Sequence, residues 1–258
     1  MKKIYPVLAL SLLGVSSWAS AQVDLSGTWD NGSGIDFLAP QIMGDSICVI
    51  GCGPAPESAE SAIPEGPRPS SGPPSRPVYK AEFQAKVADL EERQVEEDTV
   101  LRCYPPGVPR IGPPDKIVQT DTEIVFLYDD VSGNFFRIIP IDGRGHRDDV
   151  ELSFLGDAIG WWQDDVLVVE SNQFNDETWL VDDGAFHTTD LVVEEHLYLE
   201  DGFLVWEATA FDPAVLAEPW QAPVRRSVPA QGEIHEAALC VERDLEHVVD
   251  GTHHDNGR

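Results

Sequence analysis

Paired apolar runs on either side of short acidic or glycine-containing turns constrain the fold of this chain more than any other feature. Within each run apolar and polar side chains alternate with a period of two, as in a β-strand with one buried face. Three such pairs follow one another, at 124–128 with 135–139, at 157–162 with 166–170, and at 191–199 with 203–211. A closing strand at 220–228 brings the expected total to about ten strands. We therefore predict an all-β fold, an antiparallel meander closed into a barrel, with a two-sheet sandwich as the alternative.

The segments around these strands predict a single domain. Residues 23–29 alternate in the same way and end in G-x-W, which resembles the first strand of calycin barrels such as lipocalins and avidins, so we expect a calycin-like barrel. Between 78 and 97 apolar residues recur every three or four positions, which predicts one peripheral amphipathic helix. A stretch rich in Pro, Ser and Gly predicts an extended loop. The expected divisions are strands at 22–52, the loop at 53–77, the helix and main barrel at 78–245, and a polar tail at 246–258.

The first residues have the pattern of a secretory signal peptide. Lys2 and Lys3 precede an apolar run at 4–15, and an A-x-A cleavage motif ends at Ala21. The run is shorter than the ~20 residues that a membrane-spanning helix needs. We predict cleavage after Ala21, a secreted or periplasmic protein, and no insertion into a membrane.

The chain is strongly acidic. It has 46 Asp and Glu residues against 17 Lys and Arg residues, and a formal net charge of −29. Such a surface repels nucleic acid and anionic membranes, so neither is an expected partner. No D-x-D-x-D-G loop is present, so the acidity indicates adaptation to salty surroundings rather than calcium binding. The residue pattern does not specify an oligomeric state.

The four cysteines favour disulfides. An even number of cysteines in an exported chain is typical of cross-linked thiols. Three pairings are possible, and we favour a local Cys48–Cys52 bridge with a long-range Cys103–Cys240 bridge. Cys48 and Cys52 alone form a zinc half-site without a matching second half.

Two glutamates are out of place in otherwise apolar strand faces. Alternation puts Glu195 on the face of Val193 and Leu197, and it puts Glu207 on the face of Val205 and Phe211. A buried carboxylate costs several kcal/mol unless it is paired or hydrogen-bonded. We expect these glutamates to meet an arginine, with Arg137 or Arg110 as candidates, or a histidine, metal or ligand.

Histidines and carboxylates supply a candidate catalytic set. If His146 or His187 converges with Glu170 or Glu195, the residues could exchange protons near neutral pH. The same set could form a two-histidine, one-carboxylate metal site, but no H-x-H or H-E-x-x-H spacing is present. We therefore predict neither a metal nor a cofactor. The chain also lacks a G-x-S-x-G elbow, a phosphate-binding glycine loop and a dinucleotide fingerprint.

A second set of residues could line a polar and aromatic cup for a small organic molecule. In this hypothesis arginines meet anionic or carbonyl groups, and tryptophans stack on rings. The candidate ligand-binding residues are Arg110, Arg137, Asp142, Arg144, Trp162, Asn175, Trp179 and Glu207. Recognition of a small molecule is the leading hypothesis; a cofactor-free secreted lyase, isomerase or hydrolase is the alternative, followed by a structural exported protein.

Several motifs together resemble a widespread family of exported bacterial proteins. They are C-Y-P-P-G-V-P-R (103–110), K-I-V-Q-T (116–120), R-I-I-P-I-D-G-R-G-H (137–146), D-A-I-G-W-W-Q-D-D-V-L-V-V-E (157–170), F-H-T-T-D-L-V-V-E-E (186–195) and W-E-A-T-A-F-D-P (206–213). Family members begin D-L-S-G-x-W after a signal peptide and end near a cysteine, as Cys240 does here. The resemblance implies export and one β-rich domain but supplies no reaction.

The resemblance can be followed residue by residue, and the chain differs from the family pattern at two positions. Positions that carry the motifs are Cys103, Arg110, Arg137, Asp142, Arg144, His146, Glu170, His187, Glu195 and Cys240. Arg147 stands where the family has proline after the histidine, and His196 stands where it has arginine after the strand glutamate. The second departure weakens the case for a fixed Glu–Arg pair at that site.

Overall fold

The structure, a computed structural model, describes residues 22–31, 76–130, 132–237 and 240. Its strands are β1 (Gly27–Asp30), β2 (Lys116–Gln119), β3 (Glu123–Asp130), β4 (Gly133–Pro140), β5 (Asp157–Gln163), β6 (Val166–Asn172), β7 (Val192–Glu200), β8 (Phe203–Phe211), β9 (Trp220–Gln221) and β10 (Arg225–Pro229). Helix α1 spans Gln84–Glu92, a single turn α2 spans Gln94–Glu97, and 3-10 turns span Ala81–Phe83 and Thr99–Arg102. The signal peptide, Cys48, Cys52, nearly all of the 53–77 loop and the tail at 246–258 lie outside the described residues.

The strands form one sheet that curls into a nearly closed barrel, which confirms the predicted all-β barrel. Nine strands follow the path β4-β3-β2-β1-β10-β8-β7-β6-β5, and β9 pairs with β8. All three predicted hairpins are present, whereas the single closing strand expected at 220–228 is divided into β9 and β10. The likeness to calycins in particular stays a prediction.

The two ends of the path meet without a hydrogen-bonded ladder. Every ladder along the path is antiparallel, so strand direction alternates, and the first and ninth strands, β4 and β5, point the same way. A Cβ atom on Gly160 of β5 would lie 2.9 Å from Cγ2 of Ile139 on β4. A glycine therefore lets these strands approach closely, and they close the barrel through side-chain contacts. We call this junction the β4–β5 seam.

The barrel interior holds the hydrophobic core. Inner faces carry large apolar side chains, and Trp29, Trp179, Trp206 and Trp220 are all buried among them. On β7 the inner face includes Val193, Glu195 and Leu197, as predicted. On β8 the prediction for Glu207 is wrong, because the inner face carries Leu204, Trp206, Ala208 and Ala210 and leaves Glu207 on the outside.

The predicted peripheral helix is confirmed but is shorter and more broken than expected. No residue of α1 is fully buried, and Phe83, Val87 and Leu90 pack partly against the core. Gly184 lies against α1, with a positive φ of 74° and no room for a Cβ beside the helix backbone. None of the helices in the described part of the chain has the length and apolar character that a membrane crossing requires.

The long-range disulfide forms as predicted. Cys103 and Cys240 are bonded, with their Cα atoms 5.5 Å apart and a separation of 137 positions in the sequence. This bridge ties the segment after α2 to the end of the chain beyond β10.

Candidate functional site

A buried ion pair lies in the barrel interior. Arg137 on β4 donates from Nη2 to Oε2 of Glu195 on β7 over 2.5 Å. The side chains are 2% and 0% exposed. Trp206 Nε1 donates to the other carboxylate oxygen over 3.0 Å. This confirms that Glu195 is paired with an arginine, and it selects Arg137 over Arg110.

Two hydroxyl groups complete the interior network. Arg137 donates from Nη2 to Ser171 Oγ over 2.8 Å and from Nη1 to Tyr128 Oη over 3.2 Å. Burial lowers the pKa of Arg137, but Glu195 and Tyr128 together outweigh it, so the pKa is raised overall and the guanidinium stays charged. Burial likewise raises the pKa of Tyr128, which keeps its phenol protonated. The interior therefore holds one positive and one negative charge in contact.

Two interior N–H groups have no acceptor in the described part of the chain. They are Nε of Arg137 and Nε1 of Trp162, and both atoms are buried. Trp162 is on the inner face of β5, two positions after Gly160, and packs against the core while remaining partly exposed. Since β4 and β5 are parallel and Ile139 meets Gly160, Arg137 and Trp162 lie on opposite sides of that contact along the β4–β5 seam.

A second cluster joins the 141–156 connection to the outside of the barrel. His146 places Nδ1 3.1 Å from Oδ2 of Asp157 and Nε2 3.2 Å from Oε1 of Glu170. Asp157 begins β5, and Glu170 lies on the outer face of β6. The predicted meeting of His146 with Glu170 is thus present, and Asp157 is a third member that the sequence analysis missed. The side chain of His146 is 15% exposed and that of Glu170 is 38% exposed, so solvent reaches the cluster.

Hydrogen bonds to Asp157 keep its carboxylate ionised. Burial raises the pKa of Asp157, but hydrogen bonds from Arg147 and His146 outweigh it and hold the pKa below its usual value. Arg147 donates to this carboxylate from its backbone N over 3.1 Å and from Nε over 2.7 Å. An ionised Asp157 accepts the Nδ1–H of His146, which leaves Nε2 of the ring facing Oε1 of Glu170.

His187, the other candidate base, lies in a separate buried position. Its Nδ1 is 3.0 Å from the carbonyl oxygen of Thr188, and its Nε2 is 2.8 Å from Thr178 Oγ1. Because a carbonyl oxygen only accepts, Nδ1 carries the hydrogen and Nε2 accepts from the threonine hydroxyl. Unlike His146, whose side chain is 15% exposed, His187 is 2% exposed, so solvent does not reach its ring. His187 therefore shares no partner with His146, and the structure supports a structural role for it.

The burial of His187 predicts a loss of stability on acidification. Burial lowers the pKa of His187, and this effect outweighs the opposing ones of the Thr188 hydrogen bond, Asp212 and Asp176. From a usual unfolded value of about 6.5 downward, the unfolded chain takes up a proton that the folded chain refuses. We expect the free energy of unfolding to fall by up to about 1.4 kcal/mol per pH unit in that window from this residue.

Urea denaturation at several pH values between 7.5 and 5 measures this effect. His187→Gln should be less stable at pH 7.5 but should have a shallower pH dependence than the wild type. His196→Gln is the matched control, because His196 is partly exposed on the outer face of β7. Equal pH dependence in the wild type and in His187→Gln would contradict the assignment.

The predicted cup residues are divided among several places. Arg110 donates to both carboxylate oxygens of Asp98, over 2.8 and 2.6 Å, and to Asp182 over 2.5 Å. Its guanidinium also lies 5.8 Å from the ring centre of Trp179, which is itself buried. These contacts tie the 103–110 segment to the end of α2 and to the loop after β6. Arg110 and Trp179 therefore have structural roles.

Other members of the predicted cup lie on the surface. Arg144 pairs with Asp142 within one turn, over 2.6 Å, and this bond lowers the pKa of Asp142 to about 2. Asn175 Oδ1 accepts from the backbone N of Glu177, and Glu207 accepts from the Tyr198 hydroxyl on the outer face. Of the three candidate arginines, only Arg137 is in the interior. The predicted cup is therefore wrong as a set, although Arg137 and Trp162 share the barrel interior.

Some functional residues gave weaker signals in the sequence. Tyr128 alternates with Ile124 and Phe126, and Ser171 alternates with Val169, so both could have been placed on inner faces. Asp157 is a single charge directly before an apolar strand, and nothing local links it to His146. Among the described residues, no group of three or more His, Cys, Asp or Glu side chains is arranged to hold a metal ion.

Comparisons of this chain with protein-family models, with curated proteins and with solved structures found no match. Membership of the family that the motifs resemble therefore stays a prediction.

Proposed function

We propose that the protein is an exported enzyme that catalyses proton transfer on a small organic molecule, with His146 as the base. The observation that carries this proposal is the position of His146 between Asp157 and Glu170 in a solvent-accessible cluster. An ionised carboxylate on Nδ1 orients an imidazole and stabilises its protonated form, which is the role of the acid in catalytic triads. Glu170 supplies a second group that can give or take the proton on Nε2.

Export is part of the proposal and has independent support. The Cys103–Cys240 disulfide is typical of an oxidising compartment, and the first 21 residues have a signal-peptide pattern. We infer a secreted or periplasmic protein that works without a bound nucleic acid.

Hydrolysis of p-nitrophenyl acetate tests whether His146 is an accessible base. In this reaction water attacks the ester carbonyl while Nε2 removes its proton, the acyl–oxygen bond breaks, and p-nitrophenolate leaves. General-base catalysis typically contributes 10²–10⁴-fold, so we expect His146→Gln to lower kcat/KM by about 10²-fold or more. Asp157→Asn should also lower the rate and shift its pH profile, because it removes the group that positions the ring.

His196→Gln is the matched control for this assay. His196 also lies on the outer face beside a carboxylate, with Nε2 3.0 Å from Oε1 of Glu194, but its ring has no hydrogen bond to a second carboxylate among the described residues. The control should keep the wild-type rate. A wild type that does not exceed the His146→Gln variant in kcat/KM would overturn the proposal.

Recognition of a small molecule without catalysis is a second candidate function. It is supported by one observation, the two buried N–H groups of Arg137 and Trp162 that have no acceptor in the described part of the chain. Native mass spectrometry of the exported protein tests it, because an occupant would add the mass of an organic molecule.

A further inference from the structure

The donors around Arg137 outnumber their acceptors. Nε of Arg137 has no acceptor among the described residues, although the side chain is almost completely buried. Tyr128 Oη and Ser171 Oγ each accept from this guanidinium and make no other hydrogen bond within the described part of the chain. Each hydroxyl therefore keeps its own hydrogen for a further acceptor. A buried donor without an acceptor costs about 1–3 kcal/mol, so such a group points to a missing acceptor.

Three strands supply the donors that surround the Arg137 guanidinium. Tyr128 is on β3, Arg137 on β4 and Ser171 on β6, and both hydroxyl oxygens lie within 3.2 Å of a guanidinium nitrogen. Their positions are fixed by the sheet rather than by a loop, and the Glu195 carboxylate accepts from Nη2, the same guanidinium nitrogen that donates to Ser171. This arrangement is pre-organised for a hydrogen-bond acceptor.

The charge of the network selects the kind of acceptor. Arg137 and Glu195 already form a neutral pair, so a ligand carboxylate or phosphate would leave an uncompensated negative charge in the interior. Burying such a charge costs several kcal/mol. An uncharged carbonyl oxygen accepts the same hydrogen bonds without that cost.

The β4–β5 seam supplies a route to these donors. Arg137 extends from β4, the strand that ends the hydrogen-bonded path, two positions before the Ile139–Gly160 contact. Opening the seam separates side chains and breaks no ladder of backbone hydrogen bonds in the described residues. It is therefore a side of the barrel that can open without loss of backbone hydrogen bonds between strands.

We propose that the barrel interior binds an uncharged molecule through a carbonyl group, such as an amide, ketone, ester or lactone, with Arg137, Tyr128 and Ser171 as its hydrogen-bond donors. The inference rests on the second candidate function and is independent of proton transfer at His146. An ordered water is the smallest group that satisfies the same donors, and it is one outcome of the test.

Two probes of similar shape test the class of ligand. Benzamide presents an uncharged carbonyl, and benzoate presents a carboxylate on the same ring. Isothermal titration calorimetry on the mature full chain should show binding of benzamide and weaker or absent binding of benzoate. Tyr128→Phe removes one donor and should raise the Kd for benzamide about three- to tenfold. Tyr198→Phe is the matched control, since its hydroxyl faces Glu207 outside the barrel, and it should leave the Kd unchanged.

Each other outcome overturns a defined part of the inference. If benzoate binds as tightly as benzamide, the conclusion that the ligand is uncharged is overturned, but the interior site is retained. An equal Kd for benzamide in Tyr128→Phe and the wild type would show that benzamide does not bind at the Arg137 network. If neither probe binds and an experimental structure shows a water on Arg137 Nε, the network holds an ordered water only. Loss of p-nitrophenyl acetate hydrolysis in His146→Gln is measured separately from benzamide binding, so the failure of either proposal is distinguishable from that of the other.

Discussion

Replacing Glu195 with glutamine is expected to lower the free energy of unfolding by about 3–5 kcal/mol, which is typical of breaking a buried ion pair on one side. Arg137 remains charged in the variant, because its pKa is far above neutrality, and it loses the carboxylate that neutralises it. Glutamine is about the same size as glutamate, so the loss in the free energy of unfolding comes from the missing charge and not from a cavity. Urea denaturation at pH 7.5 measures the change.

The neighbouring residue gives a closely matched control for this prediction. Glu194 is on the outer face of β7, its side chain is 38% exposed, and its carboxylate hydrogen-bonds only to His196 in the described part of the chain. Exposed pairs contribute about 0–1 kcal/mol, so Glu194→Gln should change stability by no more than that. Equal losses in the two variants would show that Glu195 is not held as a buried ion.

A double replacement distinguishes the stability cost of an unpaired buried charge from that of disturbed packing. Arg137→Met combined with Glu195→Leu removes both charges and fills similar space, and such exchanges are often neutral or stabilising. Here Trp206 Nε1 loses its acceptor, so we expect the double variant to recover most but not all of the stability lost in Glu195→Gln. A double variant less stable than Glu195→Gln would contradict the ion-pair explanation.

The strands could be predicted from the sequence because alternation is a local property. The placement of Glu195 followed from that alternation, since its neighbours on the inner face of β7 are clearly apolar while the outer positions are polar. The same reasoning was wrong for Glu207, because both faces of β8 are largely apolar and alternation does not distinguish them.

Turn geometry contained the information that alternation lacked. Asp201 and Gly202 both have positive φ values, 52° and 85°, as in a two-residue type I′ turn. Such a turn pairs Glu200 with Phe203, and the ladder then sets Glu195 opposite Ala208 and His196 opposite Glu207. Opposite residues share a face, so an inward Glu195 requires an outward Glu207. The D-G pair in the sequence was the available signal.

The candidate site depends on closure of the whole barrel, which no local pattern predicts. A path of nine antiparallel strands brings β4 beside β5 in the same direction, so the 141–156 connection must return along the barrel before β5 begins. That return places His146 against Asp157 and Glu170. Arg110 and Arg144 were assigned to the cup for their charge alone, and both are instead neutralised by aspartates close to them.

Removing the Cys103–Cys240 bridge is the second change with a large expected effect. The bond closes a loop whose ends are 137 positions apart, and cross-linking a loop of that size stabilises by about 4–5 kcal/mol in the chain-entropy model. The double variant Cys103→Ala/Cys240→Ala should lose about that much free energy of unfolding. It should also show a larger urea m-value, because its unfolded state is less compact.

The predicted Cys48–Cys52 pair, outside the described residues, supplies the comparison. A loop of that size removes much less entropy from the unfolded chain, so Cys48→Ala/Cys52→Ala should lose about 2 kcal/mol or less. Dithiothreitol should lower the stability of the wild type to that of the variant lacking all four cysteines, and it should leave that variant unchanged. If Cys103→Ala/Cys240→Ala instead lost no more than Cys48→Ala/Cys52→Ala, the long bridge would not restrain the unfolded chain as the chain-entropy model requires.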